Sequence, residues 1–171
     1  MHETPDDLRA LQALLDQSAA AGGRHLADVI TPDRRLTAAE LSERLHDMCL
    51  LTVATVSSDG RPFTGPVDGF FHRGQWYFSS ATYSLKFRHI ARNAAVSATH
   101  LPGEHLAVTV HGTAVRIDIE TPEHADFKQV LRDYYLPRYG SEWEDMQDAD
   151  NVVAYARIDA HRMFTFSMDP T

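Results

Sequence analysis

The chain has 171 residues, 43% of them hydrophobic and 23% charged, which is typical of a globular domain that buries a core of its own. Its 16 basic and 24 acidic residues give a formal net charge of −8, and this negative excess argues against nucleic acid as a partner. The single cysteine excludes an internal disulfide and a multi-cysteine zinc site, and no apolar run approaches the ~20 residues that span a bilayer, so we expect a cytoplasmic protein without a membrane partner.

The first 36 residues form a predicted N-terminal helical extension. Leucines recur at helical spacing from Leu8 to Leu15, and Ala21-Gly22-Gly23 interrupts the pattern. A second helix is predicted from Thr37, because Thr37 and Glu40 have the spacing of a capping box. This helix leads the chain into the first strand.

Three strands are predicted next, over Leu50–Val56, Phe63–Phe71 and Trp76–Ser80. The first two are separated by Asp59-Gly60, a pair of residues that favours a tight hairpin because glycine tolerates positive φ. A second turn is expected over His72–Gln75. Together these features predict an antiparallel meander.

The segment from Ser79 to Lys86 follows the third strand and opens a short helix at Ser84. Backbone N–H groups at a helix start are unpaired and carry partial positive charge. We therefore expect Ser79, Ser80, Ser84 and Lys86 to form a cradle for the phosphate of a nucleotide-like cofactor. The segment contains no glycine, which excludes a P-loop and a dinucleotide-binding fingerprint. The alternative, that these residues are ordinary helix caps, stays open at this point.

Further strands are predicted over Ala95–His100, Leu106–Ile119 and Val152–Phe166, with Gly112 as a bulge or close approach. A helix is expected to begin at Thr121-Pro122 and to end near Leu136-Pro137. Six strands with marginal helices predict a mainly β fold, a closed antiparallel barrel over residues 37–171 with peripheral helices.

Other residues with reactive or bulky side chains are expected to have structural roles. The histidines at 100, 105 and 111 do not have the spacing of a metal site, so we expect no metal. Cys49 is predicted to pack in the core and Arg88 to lie in solvent. Trp143 lies in the acidic stretch from Glu142 to Asp150, either as a lid over a cofactor ring or as an anchor for an exposed insertion.

The ordered set of motifs resembles the flavin-binding split-barrel superfamily that includes pyridoxamine 5'-phosphate oxidase and the flavin/deazaflavin oxidoreductases. The matching segments are Leu51-Thr52-Val53-Ala54-Thr55-Val56, Asp59-Gly60-Arg61-Pro62, Gly65-Pro66-Val67, Trp76-Tyr77-Phe78-Ser79-Ser80, Ser84-Leu85-Lys86 and Arg92-Asn93-Ala94-Ala95-Val96-Ser97. The resemblance covers roughly residues 45 to 119 and, more loosely, the final strand. It implies an antiparallel split β-barrel of the FMN-binding type.

The resemblance also implies a cofactor site and an activity. FMN would place its phosphate against Ser79, Ser80, Ser84 and Lys86, and its ring beside a strand segment with Thr64, Gly65, Pro66 and Val67. The family is typically a homodimer with the cofactor at the interface. The implied function is an FMN-dependent oxidoreductase acting on a small conjugated or heterocyclic substrate, with catalytic residues not identified.

Two alternatives share the same scaffold. One is a deazaflavin-dependent reductase, in which Arg61, Arg88 and Arg92 would contact the acidic tail of the deazaflavin coenzyme. The other is a noncatalytic module that binds flavin or haem. The sequence does not separate these functions, because a fold does not establish an activity.

Overall fold

The computed structural model describes residues 2–148 and 152–168. Its strands are β1 (Cys49–Val56), β2 (Pro62–His72), β3 (Gln75–Ala81), β4 (Ala95–Gly103), β5 (Leu106–Ile117) and β6 (Val153–Ser167). All strand pairs are antiparallel, and the order β1-β2-β3-β6-β5-β4 closes through pairing of β4 with β1. The predicted antiparallel barrel with peripheral helices is therefore confirmed.

The described helices lie around this barrel. They are α1 (Pro5–Ala20), α2 (Arg24–Val29), α3 (Ala38–Arg44), α4 (Leu85–Ile90), α5 (Ala125–Tyr139) and α6 (Ser141–Asp148). Short 3₁₀ turns cover Pro32–Arg34 and Pro122–His124. In the part of the chain that the structure describes, no helix is both long and apolar enough to cross a membrane.

Local sequence signals account for several of these boundaries. Thr37 and Glu40 form the predicted capping box at the start of α3, and Ser84 caps α4 by accepting a hydrogen bond from the Phe87 backbone N–H. Gly60, in the turn before β2, has a φ of 82°, and Gly74, in the turn before β3, has a φ of 74°. Glycine adopts this left-handed conformation without steric cost, which fixes both hairpins.

The barrel interior is closed by helices at its ends. Inward-facing residues such as Val53, Trp76 and Val108 alternate with outward-facing neighbours along each strand. Leu11 of α1 and Leu41 of α3 belong to the same buried cluster. The first helix is also joined to the last strand, because Ser18 Oγ accepts a buried hydrogen bond of 2.9 Å from the Met163 backbone N–H. The division of the chain at residue 36 stays a prediction.

A second buried cluster lies outside the barrel wall, beneath α5 and α6. The ring of Phe127 stacks on Tyr77 of β3 with a centroid separation of 4.2 Å. Trp143 of α6 stacks on Tyr135 of α5 with a centroid separation of 5.6 Å and is 4% exposed. Trp143 therefore anchors the α6 segment, as one of the two sequence interpretations expected.

Two helix boundaries differ from the sequence expectation. The Thr121-Pro122 segment forms a 3₁₀ turn, and α5 begins only at Ala125. The helix also continues past Pro137 to Tyr139, so the predicted end near Leu136-Pro137 was wrong. A proline in the last turn removes only one N–H donor, and the helix ends where Gly140 adopts a φ of 59°.

Gly112 occupies the bulge that its place in a long strand predicted. The β5–β6 register shifts between His111 and Gly112, and a Cβ at residue 112 would lie 2.3 Å from the Asp159 carbonyl oxygen. Such a distance is far inside van der Waals contact. Gly112 is therefore required for the close approach of β5 and β6.

Candidate functional site

The strands β2 and β3 separate at one end of the barrel. They pair over Gly69–His72 and Gln75–Phe78, while β2 begins seven residues earlier, at Pro62, and β3 continues to Ala81. On its other side β2 is paired with β1 over the whole stretch from Pro62 to Gly69. In the first half of β2, the edge that faces β3 is therefore not paired with the described part of that strand. Its main-chain donors and acceptors can bind other partners.

The helix α4 lies at this opening. Phe87 and Ile90 belong to the buried barrel cluster. His89 Nδ1 lies 3.0 Å from Thr55 Oγ1 in a buried hydrogen bond, and its ring is 5.2 Å from that of Phe63 at the start of β2. These contacts hold α4 against β1 and β2 and so fix the position of Lys86.

The side chain of Lys86 reaches β2 at Gly65. A Cβ built on Gly65 would lie 2.8 Å from Lys86 Nζ, so the ammonium occupies space that a larger residue at 65 would need. The chain has two lysines. Lys128 pairs with Glu120, whereas Lys86 forms no ion pair with a described residue. An ammonium without a counter-ion beside an open strand edge can bind an anionic group.

The eight predicted site residues occupy three positions. The first position is the inward-facing side of the strands, which also carries the buried Phe71 of β2 and Phe78 of β3. Alternation along the strands places Gly65, Val67 and Ser80 on this side. Ser84 and Lys86 belong to the α4 segment. The remaining three, Thr64, Pro66 and Ser79, lie on the outward-facing side. The structure brings Gly65 and Lys86 into contact, and the assignment of all eight to a cofactor stays a prediction.

A cleft of about 240 Å³ opens on the outer side of the same strands. Its floor is a row across the sheet, formed by Asp68 of β2, Ser79 of β3 and Tyr155 of β6, and Ser79 and Tyr155 are paired directly. Its wall consists of the rings of Tyr135, Tyr139 and Trp143 from α5 and α6. Val153 of β6 completes the lining. We call the space bounded by these seven residues the tyrosine cleft.

One hydrogen bond ties the floor of the tyrosine cleft to its wall. Tyr135 Oη donates to Asp68 Oδ2 at 2.7 Å. Burial, together with this bond to a carboxylate, raises the pKa of Tyr135 far above its ordinary value, so the phenol stays protonated as a donor. The sequence analysis missed the cleft, although Tyr135 and Tyr139 have the i, i+4 spacing of one helical face.

A separate polar cluster surrounds His72 at the other end of β2. Its imidazole is 2% exposed, and neither ring nitrogen has a hydrogen-bond partner among the described residues, although Nε2 lies 3.3 Å from Asp126 Oδ2. Burial lowers the pKa of His72, against the opposing effect of Asp126. Burial disfavours ionisation of Asp126, but the Phe127 backbone N–H, His72 and Arg73 outweigh it and lower the pKa of that carboxyl. The cluster lies at the end of β2, whereas the predicted ring-binding residues Thr64 to Val67 lie near its beginning.

Other residues singled out by sequence take structural or solvent positions. Cys49 is buried, and burial raises the pKa of its thiol to about 11, which suits a core residue and not a nucleophile. Arg88 is exposed, as expected. Among the described residues, no group of three or more histidine, cysteine, aspartate or glutamate side chains could hold a metal ion.

Comparison with known proteins identifies relatives of this barrel. The family model described as pyridoxamine 5'-phosphate oxidase matches residues 37–163. No curated protein matches the sequence significantly. The conserved hypothetical protein Rv2991 from Mycobacterium tuberculosis has 20% identity and a TM-score of 0.64, with 80% of this chain and 88% of that chain covered.

Two further solved structures share the architecture. HutZ, the haem storage protein from Vibrio cholerae, has 16% identity and a TM-score of 0.59 over 76% of this chain and 96% of its own. A NimC/NimA family protein from Clostridium acetobutylicum has 13% identity and a TM-score of 0.52, with 88% of this chain and 96% of that chain covered. At these identities the similarity establishes a common fold.

Proposed function

Since the chain belongs to the pyridoxamine 5'-phosphate oxidase family, we propose that it is an FMN-dependent oxidoreductase acting on a small conjugated or heterocyclic substrate. The observation that carries this proposal is the contact of Lys86 with Gly65, where β2 and β3 part. A cation without a described counter-ion stands there beside an unpaired strand edge. Both features suit a planar ring with a phosphate tail.

The residues would share the binding of FMN as follows. Lys86 would neutralise the phosphate, with Ser80 and Ser84 as hydroxyl donors nearby in the chain. Backbone groups of Thr64, Gly65 and Val67 would bind the polar edge of the ring, and Pro66 contributes no N–H there. When bound, FMN supplies the hydride- or electron-transfer chemistry, while the protein binds, orients and shields it.

We also propose that the protein is a homodimer. The outer face of β1 and β4 carries Leu50, which is 61% exposed, and Leu101, which is 64% exposed. These two leucines occupy opposed positions when the register Thr52 with Thr99 is continued along the strands. Two adjacent exposed leucines on a sheet face are typical of a surface that a partner covers. A second copy would also shield the cofactor from water.

A reducing compartment such as the cytoplasm suits this proposal. The one cysteine is buried and has no possible internal partner. A small-molecule substrate, and not a nucleic acid, is consistent with a formal net charge of −8.

The absorbance spectrum of the freshly purified protein is the first test. We expect a flavin spectrum, and we expect mass measurement after denaturation to identify FMN. The holoprotein should then be reduced by a nicotinamide donor and reoxidised by an added acceptor. A protein that takes up no FMN would contradict the proposal, and one that binds it without redox turnover would be a flavin store.

The same measurements separate the two alternatives. Deazaflavin-dependent activity without FMN binding would identify a deazaflavin reductase. That function needs a basic groove for the acidic tail of the coenzyme. Arg61 is paired with Asp59 at 2.9 Å, so of the three arginines only the exposed Arg88 and Arg92 would contact that tail without first breaking an ion pair. A haem spectrum would instead indicate a haem-binding module.

A further inference from the structure

The tyrosine cleft has a distinct chemical character. Its wall is aromatic, and Tyr135 and Trp143 are nearly parallel, with an angle of 16° between their planes. Tyr139 is tilted by 37° from Tyr135 with a centroid separation of 6.1 Å. Tyr135 and Trp143 are themselves buried, so the exposed ring of Tyr139 is the face that can stack on a planar ligand and attract a cation through its π electrons.

The only charged side chain among the described residues lining the cleft is that of Asp68. One of its oxygens accepts the Tyr135 hydrogen bond, and the carboxylate forms no ion pair with a described residue. Asp68 is half-buried, and a carboxylate partly removed from water without a counter-ion gains from pairing with a cationic ligand. The same carboxylate would repel a phosphate or a carboxylate on a ligand.

The size of the cleft limits the ligand further. About 240 Å³ is below the roughly 300–1,000 Å³ of pockets for drug-sized ligands. One ring, or two fused rings, would fit between the floor and the aromatic wall. A long flexible chain would leave the exposed ring of Tyr139 without a stacking partner.

We propose that the tyrosine cleft binds a planar nitrogen heterocycle carrying a positive charge, with the charged edge toward Asp68 and the ring against the aromatic wall. The inference goes beyond the proposed function, because the cleft lies on the outer face of β3, whereas Ser80, proposed as a phosphate ligand, lies on the inward-facing side of the same strand. The proposed ligand class differs from a phosphorylated substrate in the sign of its charge.

Binding of three quinolines of similar shape and different charge tests the proposal. The probes are N-methylquinolinium, neutral 4-methylquinoline and anionic quinoline-4-carboxylate at pH 7.5. Calorimetry should show that affinity decreases from the cation to the neutral compound to the anion. The cation should bind at least tenfold more tightly than the anion. Quenching of Trp143 fluorescence should accompany binding and disappear in Trp143→Phe, because Trp143 lines the cleft whereas the other tryptophan, Trp76, lies inside the barrel.

Variants identify the responsible group. Asp68→Asn keeps an acceptor for the Tyr135 hydrogen bond. It should lower the affinity for the cation about tenfold and change the affinity for the neutral probe by less than twofold. The matched control is Asp133→Asn, which removes the same charge from α5 outside the cleft and should leave the order unchanged. Equal affinities for the three probes, or a preference for cations that survives Asp68→Asn, would overturn the proposal.

Each titration is repeated with FMN present. Independent binding of FMN and the cation would support adjacent sites. Competition between them would overturn the proposal, because the cleft would then be the seat of the flavin ring itself. If the cation binds with the expected selectivity but FMN does not bind at all, the proposed function fails while the ligand class of the cleft stands.

Discussion

The ammonium of Lys86 lies where a side chain on Gly65 would begin. The separation between Lys86 Nζ and the position of a Cβ on Gly65 is 2.8 Å. A residue of a short helix and a residue of a strand thus share one volume at the open edge of β2. The glycine sets how closely the cation can approach the main chain, and this closeness leads to two predictions.

Replacement of Lys86 by alanine should weaken FMN about ten- to a hundredfold, because a charge-assisted contact is worth roughly 1.5–3 kcal/mol. Fluorescence titration of apoprotein with FMN measures the effect, and the denaturation midpoint should change little. Arg88→Ala, on the same helix and in solvent, is the matched control and should retain affinity within twofold. Unchanged binding in Lys86→Ala would remove Lys86 from the site.

A larger residue at position 65 should act through the lysine. In Gly65→Val the new side chain displaces the ammonium, and we expect a three- to tenfold loss of FMN affinity with the fold retained, because the displaced group is the end of a flexible chain. Gly23→Val, where no atom lies within 4 Å of a new Cβ, is the control. In the Lys86→Ala background, Gly65→Val should cause little further loss of FMN affinity. If the losses from the two changes add fully, the two residues act independently.

Charge placed on the exposed sheet face should dissociate the proposed dimer. Leu50→Arg would bring two like charges into the interface and desolvate them, so light scattering should report a monomer at micromolar concentration. Val29→Arg changes a residue of α2 that is 41% exposed and should leave the dimer intact. A wild-type protein that is monomeric and still binds FMN would contradict the assignment of this face.

Acid should destabilise the protein through His72. Burial lowers its pKa, aided by His2 and Arg73 and opposed by Asp126, so below pH ~6.5 the unfolded chain takes up a proton that the folded chain does not. The free energy of unfolding should therefore fall as the pH drops from ~6.5 toward the folded-state pKa. Urea titrations from pH 7.5 to 5 should give a smaller decrease for His72→Phe than for wild type. Parallel curves for the two proteins would show that His72 titrates normally.

Much of the fold could be predicted because its boundaries are encoded locally. The Thr37 capping box, the Ser84 cap and Gly74 each act on residues within a few positions of themselves. The end of α5 was misplaced because the effect of Pro137 depends on how many backbone hydrogen bonds follow it. Here Gly140, and not the proline, ends the helix.

The site was less accessible to sequence reasoning. Alternation along a strand separates Ser79 from Ser80, which a linear motif places together. Contact of Lys86 with Gly65 depends on the separation of β2 from β3, which no local pattern in either strand encodes. The tyrosine cleft joins residues from Asp68 to Tyr155, and only the closed barrel brings them into one row.

The joining of α1 to β6 has a consequence for biosynthesis. The Ser18–Met163 hydrogen bond links residues 145 positions apart, and β6 also supplies the pairing that closes the barrel between β3 and β5. A ribosome releases α1 first among the described elements and β6 last. During most of translation, apolar surfaces such as Leu11 and Trp76 have no final partner, and folding is slow when it waits for distant contacts. The barrel can therefore close only after its last strand has left the ribosome.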